Sequence, residues 1–260
     1  MRTETGFIGF FDILGYQNIL ENNPPEAIAE TILDRLVSLD DHLVRRMAIS
    51  FPDFEDTFVH TVYRKYVKWL VFSDTILIYV ATPDSIPKSE LRMRWLAFYA
   101  TCVFLQNSML AAGLPLRGAI AYGPYLIQDA CFAGIPIVEA YSMTQDLDLS
   151  ACVFTEGAYS QSQRIDPPDD HDISIVEYLV PLKHGGEKKL PTLNYLAMPE
   201  TTDFRSLVLE AFWAFNKDIP LAVQQKIINT EQHIRFLSQL NSRASQEKSG
   251  ERPKMSEYIP

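Results

Sequence analysis

The 260-residue chain reads as an α+β protein, a ferredoxin-like core of the split βαβ type followed by a mixed α/β extension. Three features predict this. An apolar run rich in β formers, Phe7 to Ile13, ends at Asp12-Ile13-Leu14-Gly15, as a buried strand entering a tight turn would. Two further strand-like runs, Val62 to Phe72 and Thr75 to Ala81, are separated only by Ser73-Asp74, which makes them a hairpin. A long helical pattern, Ser89 to Ala112, then leads into another strand, Leu116 to Tyr122. The order β, α, α, β, β, α, β places helical crossovers on both sides of a central hairpin.

The elements follow in order. After the first strand, Tyr16 to Leu20 starts a helix that Asn22-Asn23-Pro24-Pro25 breaks. Pro25 to Ile49 is expected to be helical, with Leu33, Leu36, Val37, Val44 and Met47 as an imperfect apolar stripe. Ser50 to Thr61 reads as a loop with an acidic centre, and Thr82 to Lys88 as a proline-rich one. In the long helix, Leu91, Trp95, Phe98, Tyr99, Cys102 and Met109 share a face, and Gly113 suits its C-terminal cap. Gly123-Pro124 closes the Leu116 strand, and Tyr125 to Phe132 is its expected hairpin partner. Gly134 to Gln145 is helical, with Pro136 near its start where proline is tolerated. Beyond it come a short strand at Ala151 to Phe154 and a polar stretch at Ser160 to Asp172. Strands are then expected at Ile175 to Val180 and Leu193 to Ala197, and helices at Asp203 to Phe215 and Leu221 to Leu240. Residues 1–155 would form the core, 156–240 an extension of the same domain, and 241–260 a polar tail.

Composition narrows the function. Apolar residues make up 47 % and charged residues 22 %, ordinary for a packed globular chain. A net charge of −10, from 33 acids and 23 bases, argues against general binding to nucleic acid or an anionic membrane. No apolar run approaches a membrane span and no signal peptide is visible, so a cytoplasmic location is expected. Three cysteines without a C-x-x-C pair suggest neither a disulfide framework nor a zinc site. Phosphate-loop, dinucleotide-binding, nucleophile-elbow and H-E-x-x-H signatures are absent, and five histidines are scattered.

Two aspartates stand in unusual places. Asp12 follows Phe7-Ile8-Gly9-Phe10-Phe11, and Asp74 lies between Leu70-Val71-Phe72 and Ile76-Leu77-Ile78. Each carboxylate sits at the end of a strand central to the sheet, so neighbouring strands would bring them together. Two bare carboxylates about 4 Å apart repel by roughly 4 kcal/mol at an effective dielectric near 20. A shared proton or a divalent cation must offset that, and hard oxygen ligands favour Mg²⁺ or Mn²⁺. The bland alternative makes Asp74 a turn former and Asp12 a helix cap.

Phe10-Phe11-Asp12-Ile13-Leu14-Gly15-Tyr16 resembles the first metal motif of the class III nucleotidyl cyclases, and Phe72-Ser73-Asp74-Thr75 their second. Leu116-Arg117-Gly118-Ala119-Ile120-Ala121-Tyr122-Gly123 is similar to their Arg-x-Gly-Ile strand. Phe132-Ala133-Gly134-Ile135-Pro136-Ile137-Val138-Glu139-Ala140 is similar to the segment opening their last catalytic helix. Together the motifs cover residues 6 to 155. The resemblance implies two Mn²⁺ or Mg²⁺ ions on Asp12, Asp74 and the Ile13 carbonyl, and a loop from Ile13 to Tyr16 whose backbone N–H groups face the triphosphate, with Phe11, Leu14, Gly15 and Tyr16 as substrate-binding residues. It implies a nucleoside triphosphate as substrate and a homodimer with shared active sites. The base-reading lysine of the family falls at Leu70, with Lys68 and Lys65 nearby but out of register. Its asparagine falls at Glu139 and its transition-state arginine near Met143, which leaves Arg117 as a substitute cation. Tyr63, Tyr66 and Tyr122 are aromatic candidates for meeting a base. The altered base pocket resembles the pyrimidine cyclases of Pycsar antiphage systems, which implies UTP or CTP as substrate. Two other classes compete. One is a non-catalytic cyclase-like domain that binds a nucleotide or protein. The other is a palm-type polymerase or dinucleotide synthase, against which the missing Gly-Gly-acidic turn argues.

Overall fold

The computed structural model describes residues 3–28, 32, 36, 38, 41, 63–128, 131–169, 172–196 and 204–249. Most of the expected 25–49 helix and all of the 50–61 loop lie outside the described residues, as do 250–260 of the expected tail.

The first strand, β1 (Glu4–Ile13), lies between two antiparallel neighbours, β3 (Thr75–Ala81) and β4 (Leu116–Gln128). The edge strand β2 (Val67–Phe72) pairs with β3. The order β2-β3-β1-β4 is the split βαβ arrangement that the element order predicts. Beyond β4 the sheet continues through β6 (Cys152–Phe154), parallel to β4, then β8 (Glu187–Leu193) and β7 (Ile175–Pro181). The C-terminal extension therefore adds strands to the same sheet. A short β5 (Cys131–Ala133) pairs with the end of β4, which runs straight through Gly123-Pro124 rather than turning there.

Strand alternation divides β1 between two cores. Phe7, Phe11 and Ile13 join the larger one, beside Trp95, Phe98 and Cys102 of α2 (Lys88–Ala111). Ile8 and Phe10 face the other way, toward Ile137 and Ala140 of α3 (Ile135–Asp146). The short helix α1 (Tyr16–Asn22) follows β1, and Pro25–Ile28 forms one more turn.

The second half of α2 is buried all round, with no amphipathic face. Its outer side is covered by Val208, Ala211 and Phe212 of α5 (Phe204–Trp213) and by Ile227, Ile234 and Leu237 of α6 (Leu221–Ser249). Its buried side-chain amides at Gln106 and Asn107 are partnered through their nitrogens, while their Oε1 and Oδ1 have no hydrogen-bond partner among the described residues. Gln106 Nε2 donates to the Leu116 carbonyl at 2.9 Å, and Asn107 Nδ2 to the Tyr195 carbonyl at 2.7 Å.

Three elements differ from expectation. Within the polar stretch from Ser160, residues up to Ile165 belong to α4 (Glu156–Ile165), which Thr155 caps by accepting from the Ala158 amide. The strand expected from Leu193 ends there instead, because Gly185 and Gly186, with φ of 85° and 83°, turn β7 back into β8. The final helix continues through Asn241, whose side chain accepts from Asn194, to Ser249. Among the described residues no helix is long and apolar enough to cross a membrane.

Lys217 ties the helical layer together. Its Nζ donates to the Gly113 carbonyl at 2.8 Å, just past the end of α2, and to the Ala211 carbonyl in α5 at 2.6 Å. A cation suits both helix ends, where carbonyls lack intrahelical donors. Burial pulls this ammonium down to about 8, so it remains charged at pH 7. Lys217→Met, which keeps the stem but leaves both carbonyls without this donor, is expected to cost about 1–3 kcal/mol in chemical denaturation. An unchanged denaturation midpoint would show the cap to be dispensable.

Candidate active site

The sheet register brings the two aspartates to one place. Asp12 is the next-to-last residue of β1, level with Thr75 on β3 and with Arg117 on β4. Asp74 ends the β2–β3 turn, where Ser73 takes a left-handed φ of 55°, and its carbonyl accepts the Ile13 amide at 3.0 Å. Both carboxylates line a cavity of about 700 Å³ with Ile13, Leu14, Gly15 and Tyr16. The carboxylate pair expected from strand position is thus present at one site.

Arg117 is not a surface residue of an edge strand. It lies on a central strand, 8 % exposed, and its Nε and Nη2 reach the same oxygen of Asp12, Oδ2, at 2.8 and 2.7 Å. Gln145, in the last turn of α3, holds the guanidinium from the other side. It accepts from Nη2 on Oε1 at 2.8 Å and from Nη1 on its carbonyl at 3.3 Å. The other Asp12 oxygen, Oδ1, makes no hydrogen bond among the described residues. Burial pushes the Asp12 carboxyl above its ordinary value. Arg117 pulls it down, Asp74 pushes it further up, and Lys183 adds a smaller downward pull.

This donor set suits a hard divalent cation. Asp12 keeps one oxygen clear of its arginine, Asp74 brings a second carboxylate to the same cavity, and Ile13 lines it as well. The site offers a pair of carboxylates and not a larger cluster: among the described residues no group of three or more His, Cys, Asp or Glu side chains placed to hold a metal ion forms, here or elsewhere.

The remaining sequence candidates are scattered. Phe11 is fully buried, because strand alternation sends it to the face opposite Asp12. Leu14 and Tyr16 line the cavity and are themselves mostly buried. Gly15 has a φ of 78° at the start of α1, as the turn from strand to helix requires. The expected row of phosphate-facing amides is shortened, since Ile13 N–H is taken by Asp74 and Leu14 N–H by the Pro115 carbonyl at 2.9 Å. Lys68 and Leu70 lie two strands away on β2, and Lys68 donates to the Arg64 carbonyl. Glu139 lines a separate cavity with Met143, Thr155 and Lys188. The tyrosine candidates mostly pack. Tyr63 is buried and accepts from Trp69 Nε1, Tyr66 lies under Arg94, and Tyr122 packs at a tilt against Phe7.

Several cavity residues carry no motif. Tyr141, half exposed, and Gln145 lie one helical turn apart on α3, a spacing legible once their side of the helix is known to border the cavity. Lys183 and Lys226 arrive from the β7–β8 turn and from α6, more than a hundred residues after Asp12, and no local pattern announces them.

No protein-family model matches the chain, and no curated protein sequence matches it. Similar solved structures include the catalytic core of a rhodopsin-guanylyl cyclase with converted specificity, in complex with ATPαS. It is 14 % identical, with 74 % of this chain and 96 % of that one covered, at a TM-score of 0.48. The adenylyl cyclase CyaB of P. aeruginosa is 11 % identical, with 78 % and 97 % covered, at 0.45. An adenylate cyclase of Trypanosoma brucei, in its monomeric state, is 13 % identical, with 76 % and 91 % covered, at 0.41.

Proposed function

We propose that this protein is a nucleotidyl cyclase, converting a nucleoside triphosphate to its 3′,5′-cyclic monophosphate and pyrophosphate. The observation that carries this is the meeting of Asp12 and Asp74 at the ends of adjacent antiparallel strands, in one cavity, with Arg117 holding a single oxygen of Asp12. In the reaction the ribose 3′-oxygen attacks the α-phosphorus and a new O–P bond forms. The bond to the bridging oxygen breaks, and pyrophosphate leaves with its electron pair. The hydroxyl proton passes to solvent.

The chain's own residues perform identifiable parts of this. Arg117, clamped by Gln145, fixes the Asp12 carboxylate so that Oδ1 stays available. Asp74 sits in a turn braced by the Ile13 amide, so the two carboxylates cannot drift apart easily. Two Mn²⁺ or Mg²⁺ ions held by Asp12, Asp74 and the Ile13 carbonyl would acidify the attacking hydroxyl and neutralise charge on the departing pyrophosphate.

A pyrimidine triphosphate, UTP or CTP, is the proposed substrate, because apolar Leu70 stands where a purine-reading lysine is expected from the motif. A role in antiphage signalling goes with that assignment. A homodimer is also proposed. Ile135, Val138 and Tyr141 repeat along one side of α3 and remain exposed, as does Phe72 at the β2–β3 tip. Lys68, Leu70 and Glu139, remote from Asp12 within one chain, would then contribute to the partner's site.

One observation favours a second reading. Arg117 partly neutralises Asp12 without any metal, as a non-catalytic binding domain would require. Incubating the full chain with each of the four nucleoside triphosphates and Mn²⁺ separates the two. The expected result is one cyclic pyrimidine mononucleotide, with pyrophosphate released in equal amount. No product from any triphosphate would leave the binding domain, and a linked dinucleotide would point to a palm-type synthase.

A further inference from the structure

A second cavity, of about 610 Å³, lies on the far side of the loop that follows β1. Leu14 and Gly15 border both cavities, and the second is completed by Phe212 of α5, Val223 of α6, and Lys217 and Ile219 from the connection between those helices. Three charged side chains reach it, and two of them have charged or amide partners elsewhere. The Asp218 carboxylate accepts from Asn18 at 3.0 Å and from Asn22 at 3.2 Å, and Lys226 Nζ lies 3.1 Å from Asp148 Oδ1. Lys217 is different. Both of its acceptors are neutral carbonyls, those of Gly113 and Ala211. Among the described residues it has no carboxylate partner, and its third ammonium hydrogen has no acceptor.

The α5–α6 connection that carries Lys217 is firmly placed. Phe215 and Asn216 take left-handed φ values of 58° and 51°, and asparagines of the α1 region hold both. Asn23 Nδ2 donates to the Phe215 carbonyl at 2.6 Å and Asn22 Nδ2 to the Asn216 carbonyl at 2.8 Å. The Asp218 amide donates to Asn18 Oδ1. The Lys217 stem runs beside Gly15, where an added Cβ would come within 3.2 Å of Lys217 Cδ. A half-buried cation is therefore fixed at the wall of a cavity whose other surfaces are largely leucine, phenylalanine, isoleucine and valine.

We propose that this cavity binds a small amphipathic carboxylic acid, its carboxylate on Lys217 and its apolar body against Phe212, Ile219 and Val223. A charge withdrawn from water calls for an opposite charge, and two carbonyls satisfy hydrogens without supplying one. A carboxylate would take the remaining hydrogen in a charge-assisted bond. The apolar walls select an acid with a hydrocarbon body over a bare anion, and the volume is that of a small-molecule site. The assignment is independent of the cyclase reading, since it uses neither Asp12 nor Asp74.

The test is calorimetric titration of the full chain with octanoate, with octan-1-ol, which has the body without the charge, and with acetate, which has the charge without the body. Octanoate is expected to bind once per chain, about tenfold or more tighter than either of the others. Lys217→Met should bring octanoate down to the affinity of octan-1-ol and leave octan-1-ol unchanged. Val223→Glu places a competing carboxylate in the cavity at the third residue of α6, where an acid suits the helix start. It should weaken octanoate about tenfold or more without lowering the melting temperature. If Lys217→Met does not fold, Val223→Glu decides alone. Octan-1-ol or acetate binding as tightly as octanoate overturns the assignment. So does octanoate affinity that Val223→Glu leaves unchanged, or a wild type that binds no octanoate.

Discussion

Asp74→Asn is expected to reduce cyclic product formation by about three orders of magnitude while leaving the fold intact. Metal-held charge on a transferring phosphoryl group supplies several kcal/mol of transition-state stabilisation, and about 1.4 kcal/mol corresponds to a tenfold change in rate. The Asp74 carboxylate makes no hydrogen bond among the described residues, and asparagine is at home in the same turn. Its removal should therefore change activity and hardly change stability. Asp12→Asn makes the contrast. Activity should fall comparably, but Arg117 would be left buried with only the oxygens of Gln145 as good acceptors. Breaking one partner out of a buried ion pair costs about 3–5 kcal/mol. Paired assays of initial rate and denaturation midpoint separate the two variants. Wild-type turnover in Asp74→Asn would refute the shared carboxylate site. Equal stability of the two variants would show that Arg117 does not depend on Asp12.

The second large effect concerns stability against pH. His233 lies in α6, fully buried, with its ring 4.7 Å from Tyr178 and 6.2 Å from Tyr195. Neither ring nitrogen has a hydrogen-bond partner among the described residues. Burial without a partner disfavours the imidazolium and pulls the group from 6.5 down to about 3. The unfolded chain takes up a proton near pH 6.5 and the folded one does not. Stability is therefore fully present above about 6.5 and falls as the pH drops from there toward 3. The slope from this one residue is about 1.4 kcal/mol per pH unit over that window. His233→Phe removes the titration and keeps an aromatic ring against Tyr178. Urea denaturation at pH 7, 6 and 5 should show the variant gaining on wild type by about 1 kcal/mol per unit at the acid end. A constant difference across that range would mean that the imidazole charges freely in the folded protein.

The carboxylate pair was legible because strand ends and hairpin turns leave local marks. An apolar run stopping at Asp12, and a two-residue turn holding Asp74, placed both groups at the same end of neighbouring strands. Phe11 misled because a motif runs along the chain while a strand alternates its faces, so that the neighbour of a site residue points away from the site. The polar stretch from Ser160 was read by composition and not by its cap. Thr155, a good N-cap residue followed at once by Glu156 in the first turn, is the sequence sign of a helix there.

Backbone order, the antiparallel core and the two aspartates follow from periodicity and turn chemistry, which act over a few residues and can be read in a line of letters. The pairing of Arg117 with one Asp12 oxygen, the clamp from Gln145 and the arrival of Lys183 and Lys226 do not. They depend on β4 lying beside β1, and on the last strands extending that sheet until their connecting turn meets the end of α3. Such contacts join residues from 28 to 105 positions apart, as for Arg117 with Gln145 and with Asp12, and packing selects them through shape and charge that no local window contains.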